Sequence, residues 1–146
     1  MNITKKEYGE LAKKHSPGTR LPITLTKAFL FGGTICAIGQ GFLNLYTHLG
    51  MDKTTAGAVT SITLIVIAAI LTGLKLYDKL AKHGGAGTLV PITGFANAVV
   101  APALEFKTEG YIFGIGAKMF VLAGPVIVYG IAASALYGVL LRLFGH

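Results

Sequence analysis

The stretch AGAVTSITLIVIAAILTGL, residues 56–74, decides the fold, because its 19 consecutive residues carry no charged side chain. As a helix it would be about 28 Å long, close to the ~30 Å hydrocarbon thickness of a bilayer. Composition excludes a water-soluble core as the alternative. The chain of 146 residues is 53% hydrophobic and 13% charged, against roughly 25% charged in a soluble domain, and its mean hydropathy is +0.66. A soluble domain of this size still exposes about a third of its unfolded surface, so the solvent for these apolar residues is lipid.

Upstream, Ala28 to Thr47 gives another 20 uncharged residues, joined to the first stretch by a link through His48, Asp52 and Lys53. Downstream, Lys75, Asp78, Lys79, Lys82 and His83 mark a polar turn, and Gly84-Gly85-Ala86-Gly87 reads as too flexible for a helix interior. Residues 84–104 are again uncharged, yet Pro91, Gly94 and Pro102 interrupt them, and proline removes a helix hydrogen bond wherever it falls in an interior. This third segment is expected to be broken or re-entrant. Glu105, Lys107 and Glu109 follow, then Tyr111 to Ala117, Lys118, and a long run from Met119 to Leu141 with a bend expected at Gly124-Pro125. The expected fold is an all-α integral membrane protein, a helical bundle of three or four spans with one broken or re-entrant. Residues 1–24 form a polar basic tail and residues 25–146 a single transmembrane domain. No internal repeat aligns.

The net charge of +7 does not point to nucleic acid, since the basic residues form no stripe interleaved with aromatics. They sit at the ends of apolar runs. Six of the 13 (Lys5, Lys6, Lys13, Lys14, Arg20 and Lys27) precede the first run, which by the positive-inside rule puts the N-terminus on the cytoplasmic side. Four crossings place ten cations inside and three outside, and a re-entrant third segment places eleven inside and two outside, so the rule does not choose between them. The basic region is too long and the apolar run too long for a cleaved signal peptide. The tail itself reads as a short amphipathic helix on the lipid surface (Ile3, Tyr8, Leu11), broken at Ser16-Pro17-Gly18 and Pro22.

Ionisable residues among apolar segments are costly and mark candidate pathways. Glu105 and Lys118 are the informative pair, and Lys107 reads as interfacial. The stretch Pro91-Ile92-Thr93-Gly94-Phe95-Ala96-Asn97 is the strongest local signal, because unwound backbone at membrane depth needs protein or water as its partner, and exposed amides there would attract anions with Asn97 as a neutral donor. Gln40 and Asn44, four apart, would line a pore or bond to a neighbouring helix, and the second is favoured. Gly130, Ser134 and Gly138 form a small-residue stripe for helix packing, as do Gly57, Ser61, Ala69 and Gly73. The lone Cys36 excludes an internal disulfide and any multi-cysteine metal site. His83-Gly84-Gly85 lacks a nucleophile elbow to accompany it, and no phosphate loop, dinucleotide fingerprint or metal-protease motif occurs. No enzyme, cofactor or metal is expected.

The segments Phe31-Gly-Gly-Thr-Ile-Cys-Ala-Ile-Gly-Gln40, Val90-Pro-Ile-Thr-Gly-Phe-Ala-Asn97 and Pro102-Ala-Leu-Glu-Phe-Lys-Thr-Glu-Gly110 together resemble the SpoVAC/SpoVAEB family of endospore inner-membrane proteins. The similarity runs from about residue 5 to the end, and the long basic tail resembles the AC-type branch more than the shorter AE-type. The resemblance implies a subunit of the membrane complex that moves dipicolinic acid, as its calcium chelate, into the forespore and out at germination. It also implies AE-type membrane and AD-type soluble partner subunits, an oligomer, and for AC-type members tension gating. On that reading Asn97, Glu105, Lys107, Lys118 and Gln40 line the solute pathway.

Overall fold

In lipid every backbone N–H and C=O must find its partner within the protein, so uncharged runs become helices. The computed structural model describes residue 4, residues 7–11 and residues 21–144. Its main elements are α1 (Leu21–His48), α2 (Lys53–Gly73), α3 (Tyr77–Gly84), α4 (Ala86–Leu89), α5 (Ile92–Glu105), a 3-10 turn (Lys107–Glu109), a π-helical segment (Tyr111–Gly116) and α6 (Ala117–Phe144). No strand occurs among the described residues. Three helices are long and apolar enough to cross a membrane: α1, α2 and the continuous stretch Tyr111–Phe144. With 14 residues, α5 is only about 21 Å long, shorter than the hydrocarbon layer.

In the tail, Thr4 and Glu7 exchange hydrogen bonds, with Thr4 N and Oγ1 donating to Glu7 Oε2 at 2.9 and 2.8 Å and Glu7 N donating to Thr4 Oγ1 at 3.4 Å. This capping box starts the helical turn of residues 7–11. Ile3, the cations Lys5, Lys6, Lys13, Lys14 and Arg20, and the expected break at Ser16-Pro17-Gly18 lie outside the described residues. Pro22 does not break the chain. It sits in the first turn of α1, where its fixed φ suits the helix and its missing N–H would have no partner anyway.

The broken third segment is present, but its breaks fall elsewhere than expected. The chain unwinds at Gly85, which takes φ +50°, and at Pro91, the extended N-cap of α5. Gly94 and Pro102 both lie inside α5. Pro102 forfeits the single bond it would make to Ala98, close enough to the helix end that the helix carries on to Glu105. Gly94 is helical because only glycine fits: a Cβ there would collide with the Leu89 and Thr88 carbonyl oxygens. The Gly84 to Gly87 stretch is packed rather than loose, since Gly84 and Gly87 are buried and a Cβ on Gly87 would strike the backbone of Ala28 in α1. α6 is continuous through Pro125.

Small residues set the helix contacts, as expected where lipid removes the hydrophobic drive between helices. The buried face of α2 is Ala56, Thr60, Ala68 and Thr72, one residue before the expected Gly57, Ser61, Ala69 and Gly73 stripe. α5 packs most extensively on α2, and α4 rests on α1. Tyr77, 4% exposed, donates its hydroxyl proton between the Thr88 carbonyl at 2.7 Å and Thr93 Oγ1 at 3.1 Å, tying α3 to α4 and α5. Tyr46 and Thr63 hydroxyls meet at 2.8 Å between α1 and α2. By contrast the Gly130-Ser134-Gly138 stripe is exposed, touching no other helix of the described chain.

Asp52 caps α2, accepting from Thr54 N and Thr55 N at 3.1 Å each. Thr55, through side chain and backbone, is the main cause that holds its carboxyl below the usual range. A lowered folded value means the cap contributes fully above the ordinary carboxylate range and is lost as pH falls through the folded value. Hydrogen exchange at the Thr54 and Thr55 amides should therefore quicken on acidification in the wild type and be pH-flat, after correction for intrinsic exchange, in Asp52→Asn. Separately, Gly94→Ala should destabilise the protein by about 1–3 kcal/mol through overpacking. Gly41→Ala, which opens onto empty space, should be neutral or gain up to about 1 kcal/mol, both read by unfolding in mixed micelles.

Candidate functional site

The charged residues expected along a pathway gather where α5 turns back into α6. Glu105 ends α5, Lys107 and Glu109 lie in the 3-10 turn, and Gly110 at φ +97° swings the chain into the π-helical segment, whose Ile115 N donates to Gly110 O at 3.0 Å. The turn is tight because Gly114 is buried beneath the Phe106 carbonyl, where a Cβ would not fit. That approach brings Lys118 Nζ over the Phe106 ring, 4.4 Å from its centroid, a cation–π contact that holds an ammonium without a carboxylate. Glu105, Lys107 and Glu109 are exposed and Lys118 is half-buried. Glu105 makes no ion pair among the described residues.

Asn97 lies two turns back along α5 and faces α2. Thr72 Oγ1 shares its proton between Ala68 O at 2.7 Å and Asn97 Oδ1 at 2.9 Å, so Asn97 serves first to fasten the short helix to the spanning one. Gln40 is not part of this group. It stands exposed on α1, where its Nε2 donates to Asn44 Oδ1 at 2.9 Å, a bond within one helix instead of the interhelical bond expected. The structure thus unites Glu105, Lys107 and Lys118 and separates Gln40 from them. Phe106, which seats Lys118, was missed by sequence reasoning, and a lone aromatic twelve residues away carried no signal for it.

After the break at Gly85, α4, α5 and the charged turn lead the chain from α3 to α6, with α5 fastened to α2 through Thr72 and Asn97. The family model of SpoVAC/SpoVAEB sporulation membrane proteins matches residues 24–140, nearly the whole helical body. The chain belongs to the SpoVAC/SpoVAEB family. Stage V sporulation protein AC of Bacillus subtilis (strain 168) is 45% identical over 141 residues, covering 96% of this chain and 94% of the relative, which bears out the AC-type resemblance. No solved structure matches the chain. This SpoVAC/SpoVAEB member is accordingly a sporulation membrane protein, and the segments that carried the resemblance are α1's glycine-rich middle, the α4–α5 break and the charged turn.

Removing the α2–α5 fastening tests its strength. A double-mutant cycle of Thr72→Val and Asn97→Ala should return a coupling of about 0.6 kcal/mol, the average for interhelical hydrogen bonds in membranes, measured by unfolding in mixed micelles.

Proposed function

We propose that this protein is a channel-forming subunit of the SpoVA complex, moving dipicolinic acid with calcium across the spore inner membrane in sporulation and germination. The reading rests on family membership and on one structural observation: an apolar chain places Glu105, Lys107, Glu109 and Lys118 around the turn that follows a helix too short to cross. Charges there need water or protein around them. A dianionic solute needs an electropositive, hydrated route, and Lys107 and Lys118 supply it, while Glu105 would orient a lysine or meet the calcium. AE-type membrane and AD-type soluble subunits complete the route, the basic tail lies on the cytoplasmic side, and lateral tension opens the pore by moving the α5–α6 turn.

The second reading is a non-conducting scaffold, favoured by the bare Gly130-Ser134-Gly138 face of α6, a surface suited to helix assembly. Flux of dipicolinic acid from vesicles holding this chain alone separates the two: release above protein-free vesicles supports the channel, and none supports the scaffold. In spores lacking the gene, wild type should restore dipicolinic acid content, while Lys118→Ala at normal protein level should leave it low and Lys118→Arg should rescue it. Full content with Lys118→Ala would remove that residue from the route.

A further inference from the structure

A cavity of about 370 Å³ lies between α1 and α2 and is closed by Tyr77 and Leu80 of α3, Thr88 of α4 and Thr93 of α5, within the range of about 300–1,000 Å³ that holds organic ligands. Leu30, Ile35 and Ile38 of α1 and Leu64, Ile67 and Leu71 of α2 form its walls, all within the two spans. Its few polar neighbours are already satisfied: Thr34 Oγ1 donates to Leu30 O, Thr88 Oγ1 to Gly85 O, and the Tyr77 hydroxyl to Thr88 O and Thr93. Among the described residues no buried side-chain N or O lacks a partner. Such a space offers nothing to water or to a dianion, since a wet cavity needs polar groups to bond the water.

No charged side chain lines this cavity, but lysines stand within one helical turn of lining residues where α1 begins and α2 ends. Leu30 lies one turn after Lys27, Leu71 one turn before Lys75, and the cavity-lining Leu80 sits between Lys79 and Lys82, with Asp78 the single acidic residue nearby. These side chains are exposed. An apolar slot open to the bilayer with a net positive rim matches one molecule in both parts: the acyl chain fits the slot and the anionic phosphate meets the lysines. We propose that the α1–α2 groove is a binding site for an anionic phospholipid of the surrounding membrane, one chain inserted beside Ile35 and Leu64 and the headgroup held by Lys27, Lys79 and Lys82. The site does not depend on whether the protein conducts.

The test uses the full chain reconstituted with equal phosphatidylglycerol and phosphatidylcholine, extracted in mild detergent and weighed by native mass spectrometry. Wild type should retain one phosphatidylglycerol per chain, preferred about tenfold over phosphatidylcholine. Ile35→Trp, which fills the slot, should retain none, while Ser134→Trp on the bare face of α6 should retain it fully. Lys27→Ala with Lys79→Ala should keep a lipid but lose the headgroup preference. No retained lipid on wild type, equal retention of both lipids, or full retention by Ile35→Trp would each overturn the proposal. Should Ile35→Trp lose helicity by circular dichroism, phosphatidylglycerol carrying a photoreactive diazirine in its acyl chain decides on wild type. Adducts concentrated at residues 30–38 and 64–71 support the site, and adducts spread over α6 without enrichment there overturn it.

Discussion

The Tyr77 hydroxyl is the point on which the bundle's irregular part depends. Lipid gives helices no hydrophobic reason to associate, so an unwound segment holds its place only through hydrogen bonds and close backbone approach. One phenol reaches the Thr88 carbonyl, left without a helical partner by the α4–α5 break, and the Thr93 hydroxyl beyond it. Gly87 against Ala28 and Gly94 against Leu89 then let backbone meet backbone with no side chain between. From that anchored start α5 runs along α2, is fastened by Thr72 and Asn97, and delivers the charged turn.

The same economy explains how few large side chains are buried. The fully enclosed positions are alanines, threonines, glycines and a single tyrosine, while most Leu, Ile, Val and Phe residues face outward. Large residues are spent on lipid and small ones on helix contact. α6 carries this furthest: beyond Gly124 every described residue is exposed, so more than half the helix is free for lipid or for other subunits.

The spanning helices were legible because their signal is local and long: an uncharged run of about 20 residues without clustered glycine and proline is long enough to cross a bilayer as one helix. The disruption after Lys82 was legible for the same reason, as glycines and Pro91 cluster there. Its register was not. A proline in sequence says that one hydrogen bond is missing, and whether it stands as the extended cap before a helix (Pro91), sits in a helix's first turn (Pro22) or is tolerated inside one (Pro102) is set by neighbouring packing. The face of α2 was missed by one residue because alanine and threonine serve as small residues as well as glycine and serine do. In the candidate site, the charges announced themselves by their cost, whereas the partners did not: Thr72 is 25 residues from Asn97, and Phe106 is recruited to Lys118 only by the π-helical turn.

The threonines have a consequence of their own. Thr26, Thr34 and Thr47, exposed along α1, each return the hydroxyl proton to the carbonyl four residues back, which cloaks the oxygen while the helix is surrounded by hydrocarbon. A rotation about χ1 uncloaks it without moving the backbone. The wettability of these helix faces is therefore a property of side-chain rotamers, able to follow whatever solvent touches them, and a surface that is oily in contact with lipid becomes hydrophilic where a column of water reaches it.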